Sequence, residues 1–419
     1  MNRIESVPVS HSIREIQWRK ESAKSLLPRI EPLLSRIHAT PPFDISFVDV
    51  LGIPIYLTVR SIDLHSTPFD QLMEWGQLDF SYTHHGKGLT HEQSRVSCVM
   101  ETLERHCASY HQLETHPTTA SYDQLGQDAL NPASFFLAPG VKFTPDKPLT
   151  WYEGMDLIRN ETVLVPIDFT FINIPDSAFP FEGFKTKRLG FFVSNGLSAG
   201  TSIKEALMSG ICEVVERDAQ YRVIHGIPPL PTELTIENDP HFSPWLELFK
   251  KRDLDLRVFF LNHKPGFYTA FAASWDHYCR LLVMGSACAP QLRFAMQQAI
   301  LEVAQQRAFT FFKKWKTRWQ HFPIVRYIGE RIRPERYGTS IPPTFWTENC
   351  NGPVDLSEAG QDSPWDLENL VASLSDEHRV VGIDLTDPDL GIPVVRVLIS
   401  GLQNGYFDYQ QALSFMDAE

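Results

Sequence analysis

Apolar and polar positions follow two different periodicities along the chain. Short β-branched and aromatic runs, typical of buried strands, alternate with segments whose apolar residues recur at helical spacing. The clearest runs predict one strand pair at residues 45–50 and 55–60 and another at residues 380–386 and 394–399. The tetrapeptide Leu-Gly-Ile-Pro joins the strands of each pair, which either reflects an internal duplication or is a chance match.

Three segments share the order of a strand, a glycine-containing turn and a helix. They occupy residues 78–110, 190–222 and 280–314. Capping boxes of the form Thr-x-x-Gln and Ser-x-x-Glu, starting at Thr90 and Ser202, predict where the first two helices begin. Strands that alternate with helices make α/β the predicted fold class.

The predicted organisation has three parts. Residues 1–44 form an N-terminal helical segment with a broken helical rhythm, residues 45–403 form the main domain, and residues 404–419 form a C-terminal tail. An irregular insertion over about residues 111–189 is rich in Pro, Phe, Asp and Thr, and we expect short strands and loops there that form an insertion or a partner surface.

Composition and charge narrow the class of protein. The net charge of -13 argues against nucleic acid or an anionic membrane as the main partner, because both require a basic surface. No apolar run approaches the roughly 18 residues of a membrane span, and the first residues lack the apolar core of a signal peptide. Six scattered cysteines without paired spacing indicate free thiols. We therefore expect a cytoplasmic protein with neither membrane nor nucleic-acid partner.

Two helices carry the sequence Glu-x-x-Glu-Arg behind a glycine turn, at residues 101–105 and 213–217. Residues three and four apart share a helix face, so each helix presents a pair of carboxylates. Carboxylate pairs suit Mg²⁺ that is shared with phosphate oxygens, and the turns offer backbone N–H groups to phosphate. We therefore interpret the two motifs as a binding site for a nucleotide and a metal ion. The alternative is an ordinary solvated helix face with internal ion pairs.

These motifs resemble the two signature regions of the YcaO family. The first covers residues 86–105 (Gly-Lys-Gly-Leu-Thr through Glu-x-x-Glu-Arg) and the second covers residues 194–218. Residues 302–307 are similar to that family's later Glu-x-x-Gln-x-Arg helix, and residues 384–402 are similar to its DLT…PVxRVxxPGL close. The resemblance spans residues 45–403. It implies a YcaO-type fold, in which pseudo-repeated strand-turn-helix units surround one ATP site and residues 45–403 are the catalytic domain.

The resemblance implies an enzyme that uses ATP and Mg²⁺ to phosphorylate the oxygen of a peptide backbone amide. Attack by sulfide would then give a thioamide, attack by a Cys, Ser or Thr side chain an azoline, and an amine is a third nucleophile. The protein would be a YcaO-type peptide thioamidation enzyme or a cyclodehydratase acting on a ribosomally made peptide or protein. The alternative is a non-catalytic YcaO-like scaffold that binds a peptide or a partner protein.

Motif positions imply individual roles for ten residues. The implied metal ligands are Glu101, Glu104, Glu213 and Glu216. The implied nucleotide contacts are Lys87, Ser97, Ser198, Thr201, Glu205 and Arg217. Glu205 and Arg217 are also the implied catalytic residues, although Glu205 has the alternative role of a capping-box residue. Lys24, Ser25 and Arg29 are candidates for further nucleotide contacts, with an ordinary helix surface as the alternative.

The resemblance also implies partners. Members that form azolines commonly end in a Pro-x-Pro-x-Pro tail, which this sequence lacks, and the family's Pro-Gly-Leu is Ser400-Gly401-Leu402 here. No leader-peptide-binding domain precedes the match, so we expect a peptide or protein substrate presented with a TfuA-like or leader-peptide-binding partner protein. The chain could also form a homodimer. A basic run over residues 313–336 is either a docking site for an acidic leader peptide or RNA, or a solvated helix end.

Overall fold

The computed structural model of the chain describes most of the sequence, with gaps. The described residues are 13–16, 18–60, 83–110, 117–135, 137, 142–172, 174, 189, 194–320, 350–360 and 362–403, with only the backbone of residues 313–320. The predicted tail at residues 404–419 lies outside them, as do most of the basic run, the predicted strand at residues 190–193 and all but Thr83 of the predicted strand at residues 78–83.

The described residues contain fourteen strands, most of them short. They are β1 (Phe43–Asp44), β2 (Ile55–Val59), β3 (Thr83–Lys87), β4 (Thr118–Ser121), β5 (Pro148–Asp156), β6 (Glu161–Pro166), β7 (Leu197–Ala199), β8 (Thr232–Thr235), β9 (Arg257–Leu261), β10 (Tyr268–Asp276), β11 (Leu281–Ala289), β12 (Asn351–Asp355), β13 (Val380–Asp384) and β14 (Val394–Ile399).

The same residues contain eight α-helices, of which three are long. They are α1 (Ala23–Ile30), α2 (His91–Cys107), α3 (Tyr122–Leu125), α4 (Ile167–Thr170), α5 (Ile203–Ile224), α6 (Ser243–Lys250), α7 (Leu292–Gln320) and α8 (Leu367–Ala372). None of these helices combines the length and the apolar character that crossing a membrane requires.

The chain forms two compact units, each assembled from separate stretches of sequence. The first contains residues 1–102, 229–262 and 268–362, and the second contains residues 103–228, 263–267 and 363–419. The division falls within α2, whose last turn belongs to the second unit. The domain limits at residues 44 and 403 follow the sequence resemblance and stay a prediction.

The first unit is built on two sheets, with strand orders β1-β2-β3 and β11-β10-β9-β8-β12. Neighbouring strands are antiparallel except for the parallel pair β8 and β12. Helix α7 packs on β10 and β11. Gly285 allows this close approach, because a Cβ there would lie 2.3 Å from the carbonyl oxygen of Ala299 on the helix.

Arg307 of α7 is buried in the first unit and is neutralised by two aspartates. Its Nη2 lies 3.0 Å from Oδ1 of Asp49 and 3.1 Å from Oδ2 of Asp276. Burial raises the pKa of Asp49 even though the Arg307 guanidinium acts to lower it. The arginine of the Glu-x-x-Gln-x-Arg motif therefore joins the helix to the strands beneath it.

The second unit is built on one sheet in the order β4-β5-β13-β14-β7, with β6 pairing with β5. Helix α5 lies across β14 and β7. Two glycines make this contact close: a Cβ would lie 2.1 Å from the Val397 carbonyl oxygen at Gly196 and 2.7 Å from the Val397 side chain at Gly210. The predicted strands at residues 380–386 and 394–399 correspond to β13 and β14.

The predictions for the segments around Asp44 and Gly86 were wrong. Residues 45–50 contain a 3-10 helix, Ser46–Val48, where a strand was expected, because Asp44 accepts hydrogen bonds from the Ser46 N–H and hydroxyl and closes a turn. Gly86 lies inside β3 and not in a turn. A Cβ at Gly86 would lie 2.0 Å from the Ser94 carbonyl oxygen, so this glycine serves the packing of α2 against the strand.

Asp218 of α5 joins three parts of the second unit. Its buried carboxylate lies 3.0 Å from Nε2 of His263, accepts a hydrogen bond from Nε of Arg222 at 2.8 Å and accepts another from the Gln403 N–H at 2.9 Å. Burial alone would raise the pKa of Asp218, but these partners outweigh it and lower the pKa from 3.8 to about 2.

Replacing Gly196 tests the contact between α5 and β14. Gly196→Ala should reduce the free energy of unfolding by about 3 kcal/mol, because φ is +77° and the added methyl group would meet the Val397 carbonyl. Gly226→Ala is the matched control, since φ is +62° and nothing lies within 4 Å, and it should cost about 1 kcal/mol. Chemical denaturation measures both, and equal costs would contradict the close contact.

Acid titration of stability tests the Asp218 junction. A lowered pKa means that the carboxylate stabilises the fold above its unfolded value of 3.8 and that this stabilisation is lost as the pH falls towards about 2. Between pH 5 and 2 the wild type should lose about 2 kcal/mol more unfolding free energy than Asp218→Asn. Asp146 is exposed, so Asp146→Asn should lose as much unfolding free energy over this pH range as the wild type. An equal loss in Asp218→Asn would contradict a stabilising role for the Asp218 carboxylate.

Candidate functional site

The second glycine motif forms a short strand followed by a capped helix. Residues 197–199 form β7, where Leu197 pairs with Arg396 and Ser198 with Val395 of β14. Ser198 is buried. The residues were expected to form one continuous turn, but pairing with β14 draws them into the sheet. The motif is thereby held rigidly at the start of α5.

Helix α5 begins with hydrogen bonds among three motif residues. The Ser202 hydroxyl accepts from the Glu205 N–H at 3.2 Å, which is half of the predicted capping box. The Glu205 carboxylate accepts from the Thr201 N–H at 2.8 Å and from the Thr201 hydroxyl, one residue earlier than a capping box requires. Glu205 thus bonds the residue before the N-cap and not the N-cap N–H, so only the Ser202 half of the predicted capping box forms.

The second Glu-x-x-Glu-Arg motif is a half-buried group of two carboxylates and one guanidinium. Arg217 donates to Glu213 at 3.4 Å, to Glu216 at 3.3 Å and to Gln220 at 3.2 Å. Glu216 also accepts from Nε2 of Gln220 at 3.1 Å. The side chains of Glu213 and Glu216 are 22% and 11% exposed, so both carboxylates are within reach of a ligand but largely shielded from water.

The first Glu-x-x-Glu-Arg motif repeats this contact on α2. Nη1 of Arg105 lies 3.3 Å from Oε1 of Glu104, the same pair of atoms at the same distance as in Arg217 and Glu216. Glu101 is half-buried one helical turn earlier, on the part of α2 that belongs to the first unit. The two motifs therefore share an atomic arrangement as well as a sequence.

Arg396 of β14 is buried beside the second glycine motif. Its guanidinium is fully buried and donates to the carbonyl oxygens of Asn195 at 2.6 Å and Thr170 at 3.3 Å. Burial and repulsion from Arg105 lower its pKa to about 9, while Glu213 and Glu104 act in the opposite direction. One glutamate from each motif thus shares the electrostatic environment of a single buried cation.

Sequence reasoning did not assign a role to Arg396. The residue lies in the segment that resembles the family's DLT…PVxRVxxPGL close, where a lone arginine follows two valines. Because Lys and Arg are almost never fully buried unless they are paired, an arginine in a continuous apolar strand pattern is the feature that could have identified it.

The predicted nucleotide contacts of the first unit lie on β3 and α2. Nζ of Lys87 lies 3.0 Å from Oε2 of Glu302, which belongs to the helix with the Glu-x-x-Gln-x-Arg motif. Ser97 is half-buried on α2. Among the N-terminal candidates, Ser25 and Arg29 both donate to Glu21, as expected of an ordinary helix surface.

The carboxylates fit a metal shared with a ligand better than a metal held by the protein alone. Within the described residues, no group of three or more His, Cys, Asp or Glu side chains is arranged to hold an ion. Glu213 and Glu216 form an adjacent pair, and Mg²⁺ commonly binds one or two carboxylates together with phosphate oxygens and water. The donor set therefore suits Mg²⁺ that arrives with a phosphate group.

Histidines and cysteines near the motifs are mainly packing residues. His84 is buried in β3, and His85 packs edge to face on Phe309 with ring centroids 4.0 Å apart. His106 is buried 3.8 Å from Asp387. Cys98, Cys107 and Cys212 are buried, and all three are free thiols as predicted.

Comparison with known proteins places this geometry in a family. A sequence model described as YcaO cyclodehydratase, ATP- and Mg²⁺-binding, matches residues 85–403. The solved structure of YcaO from Methanopyrus kandleri, bound with AMPPCP and Mg²⁺, has a TM-score of 0.63 and 23% identity, and the alignment covers 94% of each chain. This match confirms the predicted YcaO-type α/β fold.

Two relatives extend over nearly the whole chain. An uncharacterized protein of Methanothermobacter thermautotrophicus is 29% identical over 381 residues, which are 88% of this chain and 91% of the relative. An uncharacterized protein in the tfuA 3' region of Rhizobium leguminosarum bv. trifolii is 24% identical over 85% of this chain and 81% of its own. Because the family model covers well over half of the sequence, this chain belongs to the YcaO family.

Proposed function

We propose that this protein is an ATP- and Mg²⁺-dependent enzyme that phosphorylates the oxygen of a peptide backbone amide. The observation that carries the proposal is the pair of Glu-x-x-Glu-Arg motifs that make the same ion-pair contact, Glu104 with Arg105 and Glu216 with Arg217, each at 3.3 Å. A family described as ATP- and Mg²⁺-binding cyclodehydratases supports it. ATP supplies the phosphoryl group that turns the amide oxygen into a leaving group.

The chain's own residues then have separate tasks. Glu101, Glu104, Glu213 and Glu216 are the proposed ligands of Mg²⁺. Arg217 holds two of these carboxylates in place before a ligand arrives, and its guanidinium is then positioned to neutralise phosphoryl charge. Glu205 fixes the Thr201 main chain, so that the start of α5 keeps one geometry. We propose Lys87, Ser97, Ser198 and Thr201 as nucleotide contacts.

We propose a thioamide as the product, with an azoline as the second outcome. The relative in the tfuA 3' region supports a TfuA-like partner, which belongs with thioamide formation. The nucleophile would then be sulfide, and the peptide would exchange one oxygen for sulfur. Loss of water from the peptide would instead indicate a ring formed by a Cys, Ser or Thr side chain. Six free cysteines fit the proposed cytoplasmic location.

Neutralising single carboxylates tests the proposed metal ligands. Glu101→Gln and Glu213→Gln should each reduce ATP turnover, measured with peptide and partner protein present, by more than about tenfold. The fold should survive Glu213→Gln, because Glu216 and Gln220 still accept from Arg217. Glu247→Gln, on the exposed side of α6, is the control. Turnover that stays at the wild-type level in both motif variants would exclude these ligands.

One observation favours a scaffold as the alternative function. Arg105 and Arg217 already pair with the motif glutamates, so the acidic residues are partly neutralised without any metal. A scaffold would need no more than this.

Thermal unfolding distinguishes the two functions. A ligand that binds only the folded state raises its apparent stability, so AMPPCP with Mg²⁺ should raise the melting temperature of the enzyme, and Glu213→Gln should abolish that rise. AMPPCP without Mg²⁺ is the control. A melting temperature that AMPPCP and Mg²⁺ leave unchanged would favour the scaffold.

A further inference from the structure

A groove in the second unit lies outside the residues assigned above. Its volume is about 520 Å³, and its walls come from β5, β6, β13 and the first turns of α5. Met155 and Leu164 contribute from the sheet, and Ile203 and Leu207 contribute from the helix. Helix α5 covers β14 and β7 and leaves this part of the sheet open.

The groove presents apolar side chains to solvent. Met155 and Ile203 are each 38% exposed, although both are large apolar residues. Ile203 is the first residue of α5, where a polar side chain would be the usual choice for an exposed position. Contiguous exposed apolar residues rimmed by polar ones mark surfaces that bind a partner.

Part of the β5 backbone is also open here. Strand β4 pairs with β5 as far as Trp151, and β13 pairs with β5 only from Met155 onwards. Within the described residues, Glu153 and Gly154 therefore have no strand partner on that edge. An extended polypeptide can bind such an edge through main-chain hydrogen bonds and place alternate side chains in the groove.

The charges of the groove select its occupant. Glu153 and Asp384 line it, and neither forms an ion pair with any residue that the structure describes. Two carboxylates beside an apolar floor favour an apolar side chain next to Lys or Arg. A second copy of this chain is disfavoured, because it would place four carboxylates together and each copy carries a net charge of -13.

Distance along α5 relates the groove to the glutamates. Glu213 follows Ile203 by ten residues, so the two lie about 15 Å apart along the helix axis. About five residues of extended polypeptide span that distance. At least about five residues must therefore separate a segment anchored in the groove from an amide that reaches Glu213.

We propose that this groove binds a recognition segment of the substrate polypeptide. The segment is an extended stretch with an apolar side chain flanked by Lys or Arg, separated by at least about five residues from the amide that is modified. This inference rests on the proposed peptide-modifying function, since that function supplies the substrate. It assigns to the chain itself part of the recognition that the sequence left to a partner protein.

Peptide binding to the full chain, measured without nucleotide, tests the groove. The probe is a fluorescein-labelled peptide of nine residues that alternates Leu and Lys, followed by fluorescence anisotropy. We expect saturable binding that Met155→Ser or Glu153→Gln weakens by about tenfold, as loss of a central interface contact does. Added salt should weaken it as well, because the charges are exposed.

Two matched variants and two peptides serve as controls. Ile158→Ser and Glu161→Gln alter an exposed apolar and an exposed acidic residue close to the groove in sequence but outside its lining, so both should bind like the wild type. A Leu-Glu peptide and a Ser-Lys peptide should bind at least about tenfold more weakly. The proposal would be overturned if the Leu-Glu peptide bound as tightly as the Leu-Lys peptide. It would also be overturned if the control variants lost as much affinity as Met155→Ser and Glu153→Gln. A dimer in sedimentation that Met155→Ser dissociates would overturn it as well, because a second copy would then occupy the groove.

Peptide binding and stabilisation by AMPPCP with Mg²⁺ test the groove and the proposed nucleotide site separately. Met155→Ser and Glu153→Gln should keep the wild-type melting temperature and its rise with AMPPCP and Mg²⁺, because neither residue is near the proposed nucleotide contacts in sequence. If both variants bind the peptide as tightly as the wild type and keep the rise in melting temperature, only the groove proposal is overturned. Loss of the rise in the wild type, with peptide binding kept, overturns the nucleotide site instead.

Discussion

The buried guanidinium of Arg396 is the constraint on which the second unit depends. Removing a cation from water is costly unless its hydrogen bonds and charge are satisfied nearby. Arg396 meets part of this requirement through the carbonyl oxygens of Asn195 and Thr170, while Glu213 and Glu104 act against the burial and the repulsion from Arg105 that lower its pKa to about 9. The glycine motif must therefore lie against β14. A structural requirement of the core thus fixes the segment that leads into α5, the helix that carries Glu213 and Glu216.

The two Glu-x-x-Glu-Arg motifs repeat in structure as well as in sequence. Glu104 with Arg105 and Glu216 with Arg217 make the same contact at the same distance, on helices that begin with the same kind of cap. Each arginine offsets repulsion between carboxylates that would otherwise disfavour the fold. Such a site is stable before a ligand arrives, and a divalent cation with phosphate can replace part of the neutralisation that the arginines provide. Ion pairs inside the motifs are therefore compatible with the functional interpretation and with the solvated-face interpretation alike.

Sequence periodicity predicted the elements whose burial is one-sided or complete. The strands β13 and β14 and the helices α2, α5 and α7 were found where their patterns placed them, because a buried face imposes its period on the sequence. Gly86 was misassigned because glycine permits both a turn and close helix packing, and only the position of Ser94 distinguishes them. Asp44 closed a turn where β-branched residues predicted a strand. Arg396 and the open groove beside β5 depend on contacts between residues far apart in sequence, which no local pattern encodes.

The proposed reaction converts an amide oxygen into a phosphate leaving group. A candidate peptide with heavy oxygen in its backbone carbonyls, incubated with the protein, ATP, Mg²⁺, partner protein and sulfide, tests this directly by mass spectrometry of the released phosphate. Transfer of the phosphoryl group to the amide oxygen predicts one heavy oxygen in each phosphate released with a modified peptide. Modified peptide accompanied by unlabelled phosphate would contradict the claim, because ATP would then have been hydrolysed by water.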